Sequence, residues 1–205
     1  MKLDDKTLLD GVKWLSGLDP NLGAAVDEFG APPLWDRDSG FPSLLKIILE
    51  QQVSLSSAQS TYDKLVEKIG RLTPETFLTL DDIELKSAGF SRQKTRYGRI
   101  LANSILDGTI DLHELNDLPD DEVEIKLTGL TGIGKWSAGI YRLMVLGRPD
   151  VWPRGDLALN KAMMDVMGLE SVPDNDKAEE IAERWRPWRS VAARILWHHY
   201  LSRRR

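Results

Sequence analysis

The chain predicts an all-α fold, and three observations carry that prediction. Proline and glycine punctuate it at "GAPPLW", "SGFP", "RLTP", "NDLPDD", "TGIG", "LGRPDVWPRGD" and "SVPDND", cutting it into pieces of helical length. Between those breaks the apolar residues recur at helical spacing. Runs that could be strands, such as "DVWP", are too short and too proline-bound to build a sheet.

Taken in order, Leu44, Leu45, Ile48, Leu49 and Leu55 mark a segment entered after Pro42-Ser43. Thr73-Pro74-Glu75 reads as an N-cap with proline at the first helical position. Leu101, Ile105 and Leu106 belong to another helix. Pro119-Asp120-Asp121-Glu122 puts acid into a first turn, where the helix dipole favours it. That helix is expected to end near Thr128 to Gly129 and the next to begin beyond Gly134, giving helix, five-residue hairpin, helix. Leu143, Met144, Leu159, Met163, Val166 and Met167 fill two more segments.

At 205 residues the chain suffices for one large domain or two small ones sharing a cleft. Cysteine is absent, which excludes disulfides, thiolate-held zinc or iron–sulfur clusters and a cysteine nucleophile. Imidazoles come only from His113, His198 and His199, and the adjacent pair diverges on a helix, so a histidine metal site is not expected. The opening "MKLDDKTLLD" is unlike a signal peptide and no segment is continuously apolar, so an intracellular, soluble protein is expected, without membrane partners and as a monomer.

The formal charge of −5 argues against a nucleic-acid partner, but its distribution does not. Acid gathers in "DLHELNDLPDDEVE" and "DNDKAEEIAE", whereas "KSAGFSRQKTRYGR", Lys86 to Arg99, and the tail "RSVAARILWHHYLSRRR" are basic. Each run reads either as a solvated helix face or as part of a positive surface.

Two stretches carry chemistry. In "LTGLTGIGKWSAGIY" the glycines suit left-handed or closely approached backbone. The hairpin is then either a plain connection or a grip, in which the main chain meets a phosphate at the N–H groups opening the next helix. In "VWPRGDLALNKAM", Asp156 opens an apolar-periodic segment. It reads as an N-cap, or as a carboxylate facing a cleft to stabilise a developing cation or activate water.

"LTGIGKWSA" followed by "VWPRGDLALNKAM", with twenty residues from Trp136 to Asp156, resembles the helix-hairpin-helix and Gly/Pro-rich loop with aspartate of the helix-hairpin-helix (HhH-GPD) DNA glycosylase superfamily. Within it the chain is most similar to the alkylbase branch, DNA-3-methyladenine glycosylase II of the AlkA and MAG type. "IILEQQVSLSSAQ" resembles the helix and turn that supply the wedge residue, and "ERWRPWRSVAARILWHHY" the C-terminal helix. The resemblance spans about four-fifths of the chain, Phe41 to Tyr200. It departs in Thr131, where proline is usual, and in length, so the N-terminal β domain of longer bacterial members is not expected. Residues 1–40 are therefore expected to complete the helical core and 41–205 to form the glycosylase domain, with the hairpin at 129–135.

The resemblance implies two helical subdomains around a cleft and a monofunctional hydrolase that flips alkylated purines, of the 3-methyladenine and 7-methylguanine type, out of double-stranded DNA in base excision repair. It would leave an abasic site. Asp156 matches the catalytic aspartate. Trp136 stands where strand-cutting members carry a Schiff-base lysine, with Lys135 about 100° of helix away, so no lyase activity is expected. Trp197 matches a second pocket aromatic, and cation–π attraction would select a cationic base. Ile140 occupies the position of a frequent pocket tyrosine. Gln52 matches the wedge, or is an exposed turn residue. Gly132, Gly134 and Lys135 would grip DNA; Ser190 matches the motif too, or caps the last helix. Hairpins of this kind often hold Na+ or K+ on main-chain carbonyls, here near Gly129 and Thr131; no other cofactor is expected. The compartment follows the source, cytoplasmic in a prokaryote and nuclear in a eukaryote.

Three other readings compete. A non-catalytic helix-hairpin-helix module that binds DNA or senses damage needs neither Asp156 nor the two tryptophans. A sister glycosylase for oxidised or mismatched bases would need the lysine or the cysteines that this chain lacks. A scaffold using its seven tryptophans would not bind DNA.

Overall fold

The computed structural model describes residues 2–204 and contains, among them, helices, turns and no strand. The chain divides into two compact units: a terminal unit of residues up to Asp36 with those from Arg142 onward, and a middle unit, Arg37–Tyr141.

The terminal unit holds α1 (Asp5–Leu18), α2 (Pro20–Phe29), α10 (Leu157–Met167), α11 (Asn175–Glu183) and α12 (Arg189–Ser202). Asp4 opens α1 with a reciprocal capping box to Thr7. Asp19 caps α2 through the Asn21 N–H, while its other carboxylate oxygen accepts from buried Trp185 Nε1 at 2.8 Å. α12 packs on α1, α2 and α10 around Leu15, Leu22, Leu159, Met163, Val191 and Leu196, all fully or almost fully buried. Each such side chain contributes about 1.5–3 kcal/mol on burial.

The middle unit holds α3 (Phe41–Glu50), α4 (Leu55–Ile69), α5 (Pro74–Leu78), α6 (Asp82–Ala88), α7 (Arg92–Leu106), a 3-10 turn (Glu114–Asn116), α8 (Asp120–Thr128) and α9 (Lys135–Ile140). α7 packs on α3, α5 and α6. Phe77 sits at the centre, its ring 5.6 Å from Phe41 and 5.8 Å from Phe90. Beyond α9 the chain continues as a π-helical turn, Tyr141–Val145, which no sequence signal announced.

Two boundaries differ from the sequence expectation. Leu55 does not continue the helix of Leu44 to Leu49: a turn at 51–54 separates α3 from α4, without proline or glycine to announce it. The hairpin between α8 and α9 runs from Gly129 to Gly134, six residues rather than five. The α5 cap is as expected: Thr73 caps it with Thr76 in a capping box, and Pro74 follows.

Candidate active site

In the middle unit, the hairpin is built around Gly132. Its φ is +97°, and a Cβ there would lie 2.3 Å from Tyr97 Cγ, so this glycine is required by both backbone and packing. Gly134 differs. It is the N-cap of α9 with φ −95°, and a Cβ there would meet nothing within 4 Å. No side chain caps α9, and Gly134 and Lys135 are both exposed. Trp136, in the first turn, is half-buried, and Ile140, at the last, is buried.

The turn carrying Gln52 is braced from several directions. Arg37 grips Glu50, which ends α3, through two parallel bonds of 3.0 and 2.9 Å. Lys94 Nζ donates to Leu49 O at 2.6 Å, capping that helix end. Ser54 caps α4 through the Ser57 N–H. Between these anchors Gln52 takes φ +56°, a conformation few non-glycine residues adopt, and is exposed together with Val53 and Leu55.

Gln51 joins turn to hairpin. Its Nε2 donates to Gly132 O at 2.8 Å and to Ser137 Oγ at 2.9 Å, so the glutamine before Gln52 fixes this turn against the hairpin. Sequence reasoning missed it, because in "EQQ" only the second glutamine matches a motif position. Tyr97 was also missed, standing in a segment that reads only as basic.

In the terminal unit, Asp156 is half-buried and is the N-cap of α10, its Oδ1 accepting from Leu159 N at 2.9 Å. The capping reading is therefore what the backbone adopts. The approach to Asp156 is tied down. Ser190 N donates to Pro149 O at 3.0 Å, and Ser190 Oγ accepts from Val151 N at 2.9 Å. Arg189 forks onto Asp150. Arg154 pairs with Asp176 and Glu179 of α11. Gly155 turns the chain at φ +91°.

Ser190 therefore needs correction. It is fully buried with its hydroxyl committed to the Val151 backbone, so it neither faces DNA nor caps α12, whose N-cap Trp188 makes no side-chain bond. It holds the loop that leads to Asp156. Trp197 lies on α12, the helix on which α10 packs, and is 8% exposed. One turn earlier, fully buried Arg194 donates to Leu34 O, Ser190 O and Leu143 O at 2.7, 3.1 and 3.0 Å. Burial pulls its pKa down to about 10, opposed by Asp36, so it remains cationic at neutral pH.

This arrangement matches known proteins. The model of the "HhH-GPD superfamily base excision DNA repair protein" family matches residues 45–187. The Bacillus subtilis protein YfjP is 30% identical over 185 residues, 86% of this chain, which spans only 64% of YfjP. DNA-3-methyladenine glycosylase 1 of Schizosaccharomyces pombe is 26% identical over 190 residues, covering 89% of this chain and 83% of that protein. The solved structure of S. pombe 3-methyladenine DNA glycosylase (Mag1) in complex with abasic DNA superposes with a TM-score of 0.87 at 26% identity, covering 92% of this chain and 95% of that one. A DNA-3-methyladenine glycosidase from Bacillus halodurans gives 0.75 at 29% identity, over 93% and 88%. With the hairpin, the capped aspartate and a family model matched over most of its length, the chain belongs to the HhH-GPD superfamily of base excision DNA repair proteins.

Proposed function

We propose that the protein is a monofunctional DNA glycosylase that removes alkylated purines from double-stranded DNA and leaves an abasic site. The observation that carries this reading is Asp156, a carboxylate held in one rotamer at the N-terminus of α10 by a loop tied to both α11 and α12. Alkylation at N3 or N7 has already made the base cationic. When the C1′–N9 bond breaks, its electron pair neutralises the departing base, and positive character passes to the deoxyribose. The Asp156 carboxylate stabilises that charge, and water adds at C1′ while losing a proton. No acid need protonate the leaving group.

The middle unit supplies the grip. The open N–H groups at Gly134 and Lys135 suit a backbone phosphate, since no Cβ stands between them and an approaching anion. The carbonyls of Leu130 and Gly132 already accept from Ile133 N and Gln51 Nε2. Those of Gly129 and Thr131 are the hard oxygen donors we assign to a monovalent cation. Gln52, exposed on its braced turn, enters the stack as the base leaves and hydrogen-bonds the orphaned partner. We assign Trp136 and Ile140 of the middle unit, and separately Trp197 of the terminal unit, to recognition of the base, the indoles attracting its positive charge. An indole at position 136 offers no amine for a Schiff base, so the strand stays intact.

Incubation of methylated duplex DNA with the protein, with released bases separated by chromatography and strand breaks scored before and after alkali, tests this. Free methylated purine with breaks only after alkali is expected. Duplex binding without base release would overturn the enzymatic reading and leave a DNA-binding module.

A further inference from the structure

We propose that α7 carries a second binding surface for the DNA backbone, made by Arg92 and Arg96 alongside the hairpin; this rests on the DNA-binding part of the reading above. Lys86 to Arg99 holds five basic residues and no acid in a chain of net charge −5. Three of the five have structural work. Lys86 lies in the last turn of α6, where the dipole favours a cation. Lys94 turns inward to Leu49 O, and Arg99 pairs with Asp82 at 2.7 Å and donates to Leu80 O.

Arg92 and Arg96 have no such account. Both are exposed, and as an i,i+4 pair of like charge they repel each other. Arg92 also opens this 15-residue helix, at the positive end where a cation is disfavoured. Neither the helix nor its packing gains from them, whereas a polyanion would relieve both repulsions.

Their place on α7 says which polyanion. Tyr97, one residue on from Arg96, is where α7 touches the hairpin: its ring is the surface against which Gly132 rests, and Gln93 Nε2, one turn earlier on the same edge, donates to its Oη at 2.7 Å. Thr95 and Gly98 face the core, Gly98 against Phe77 and Leu45. The ridge of Arg92 and Arg96 therefore lies about 100° round the helix from the hairpin edge, on the solvent side. A duplex held by the hairpin would continue past it, and guanidinium forks match phosphate oxygens.

The test is binding of an undamaged DNA duplex by fluorescence anisotropy across a series of salt concentrations. Wild type, R92Q/R96Q, R92K/R96K and, as a control at an exposed lysine of α4, Lys64→Gln are compared, with thermal unfolding of each. R92Q/R96Q is expected to make the slope of log K against log salt shallower by about 2, one for each phosphate that is no longer neutralised. R92K/R96K should keep the wild-type slope, Lys64→Gln should not change it, and no variant should unfold earlier. An unchanged slope in R92Q/R96Q, or the same flattening in Lys64→Gln, would overturn the inference while leaving excision intact. A flattened slope in a protein that releases no alkylated base would sustain the inference and sink only the enzymatic reading. Absence of any duplex binding by the wild type would overturn both.

Discussion

Substitution separates the cap that Asp156 provides from the charge we assign it at the sugar. Asn caps a helix about as well as Asp, so Asp156→Asn should hold stability within about 1 kcal/mol in thermal unfolding while removing the charge needed at the sugar. Asp156→Ala should lose the cap as well, costing about 1 kcal/mol. Gln51 makes a different prediction. Gln51→Ala removes the bonds to Gly132 O and Ser137 Oγ that tie the 51–54 turn to the hairpin, so affinity for an abasic-analogue duplex should fall about tenfold by electrophoretic shift, within the net worth of two hydrogen bonds. Ser190→Ala strands the buried Val151 N–H and should cost about 1–3 kcal/mol in denaturant unfolding. At this scale the sequence revealed the capping aspartate, because its cap is local. It concealed Gln51 and the true use of Ser190, because their partners lie 81 and 39 residues away.

The hairpin shows the same contrast one scale up. Its two glycines look alike in "GIG", yet one is demanded by the fold and the other is not. Gly132→Ala meets both positive φ and the Tyr97 ring and should destabilise the protein by more than about 1 kcal/mol in thermal melts. Gly134→Ala should cost less than about 1 kcal/mol in the melt, as a poorer N-cap, and weaken duplex binding, because its methyl group stands where the phosphate would approach. Helices with strong breakers, such as α5 behind Thr73-Pro74, were legible. The turn at 51–54 was legible through the family resemblance but not through periodicity or breakers, since its cause is tertiary: Arg37, Lys94 and Gln51 hold a break that no proline or glycine marks.

For the whole molecule, composition pointed to helices while the net charge pointed away from DNA, and the resolution lies in how charge is placed. The all-α class followed from periodicity and punctuation; the pairing of the first 36 residues with those after 141 could not, because neither segment carries a local mark of the other. Stability should also depend on pH through the terminal unit. Burial, with Arg203 nearby, lowers the pKa of His199 below its usual 6.5, against Glu28 and Asp165. Unfolding lets this imidazole take a proton that the fold resists, so its contribution is full above about pH 6.5 and is lost as pH falls toward the folded value. Thermal midpoints should therefore drop between pH 7.5 and 5.5, and His199→Leu should flatten that slope. The central claim, that a folded protein works through one capped carboxylate, is tested most directly by single-turnover release of methylated purine from duplex DNA by wild type and Asp156→Asn, each with its melting curve. The account predicts equal melting and a rate at least about 100-fold lower in the variant; release by Asp156→Asn at the wild-type rate would contradict it.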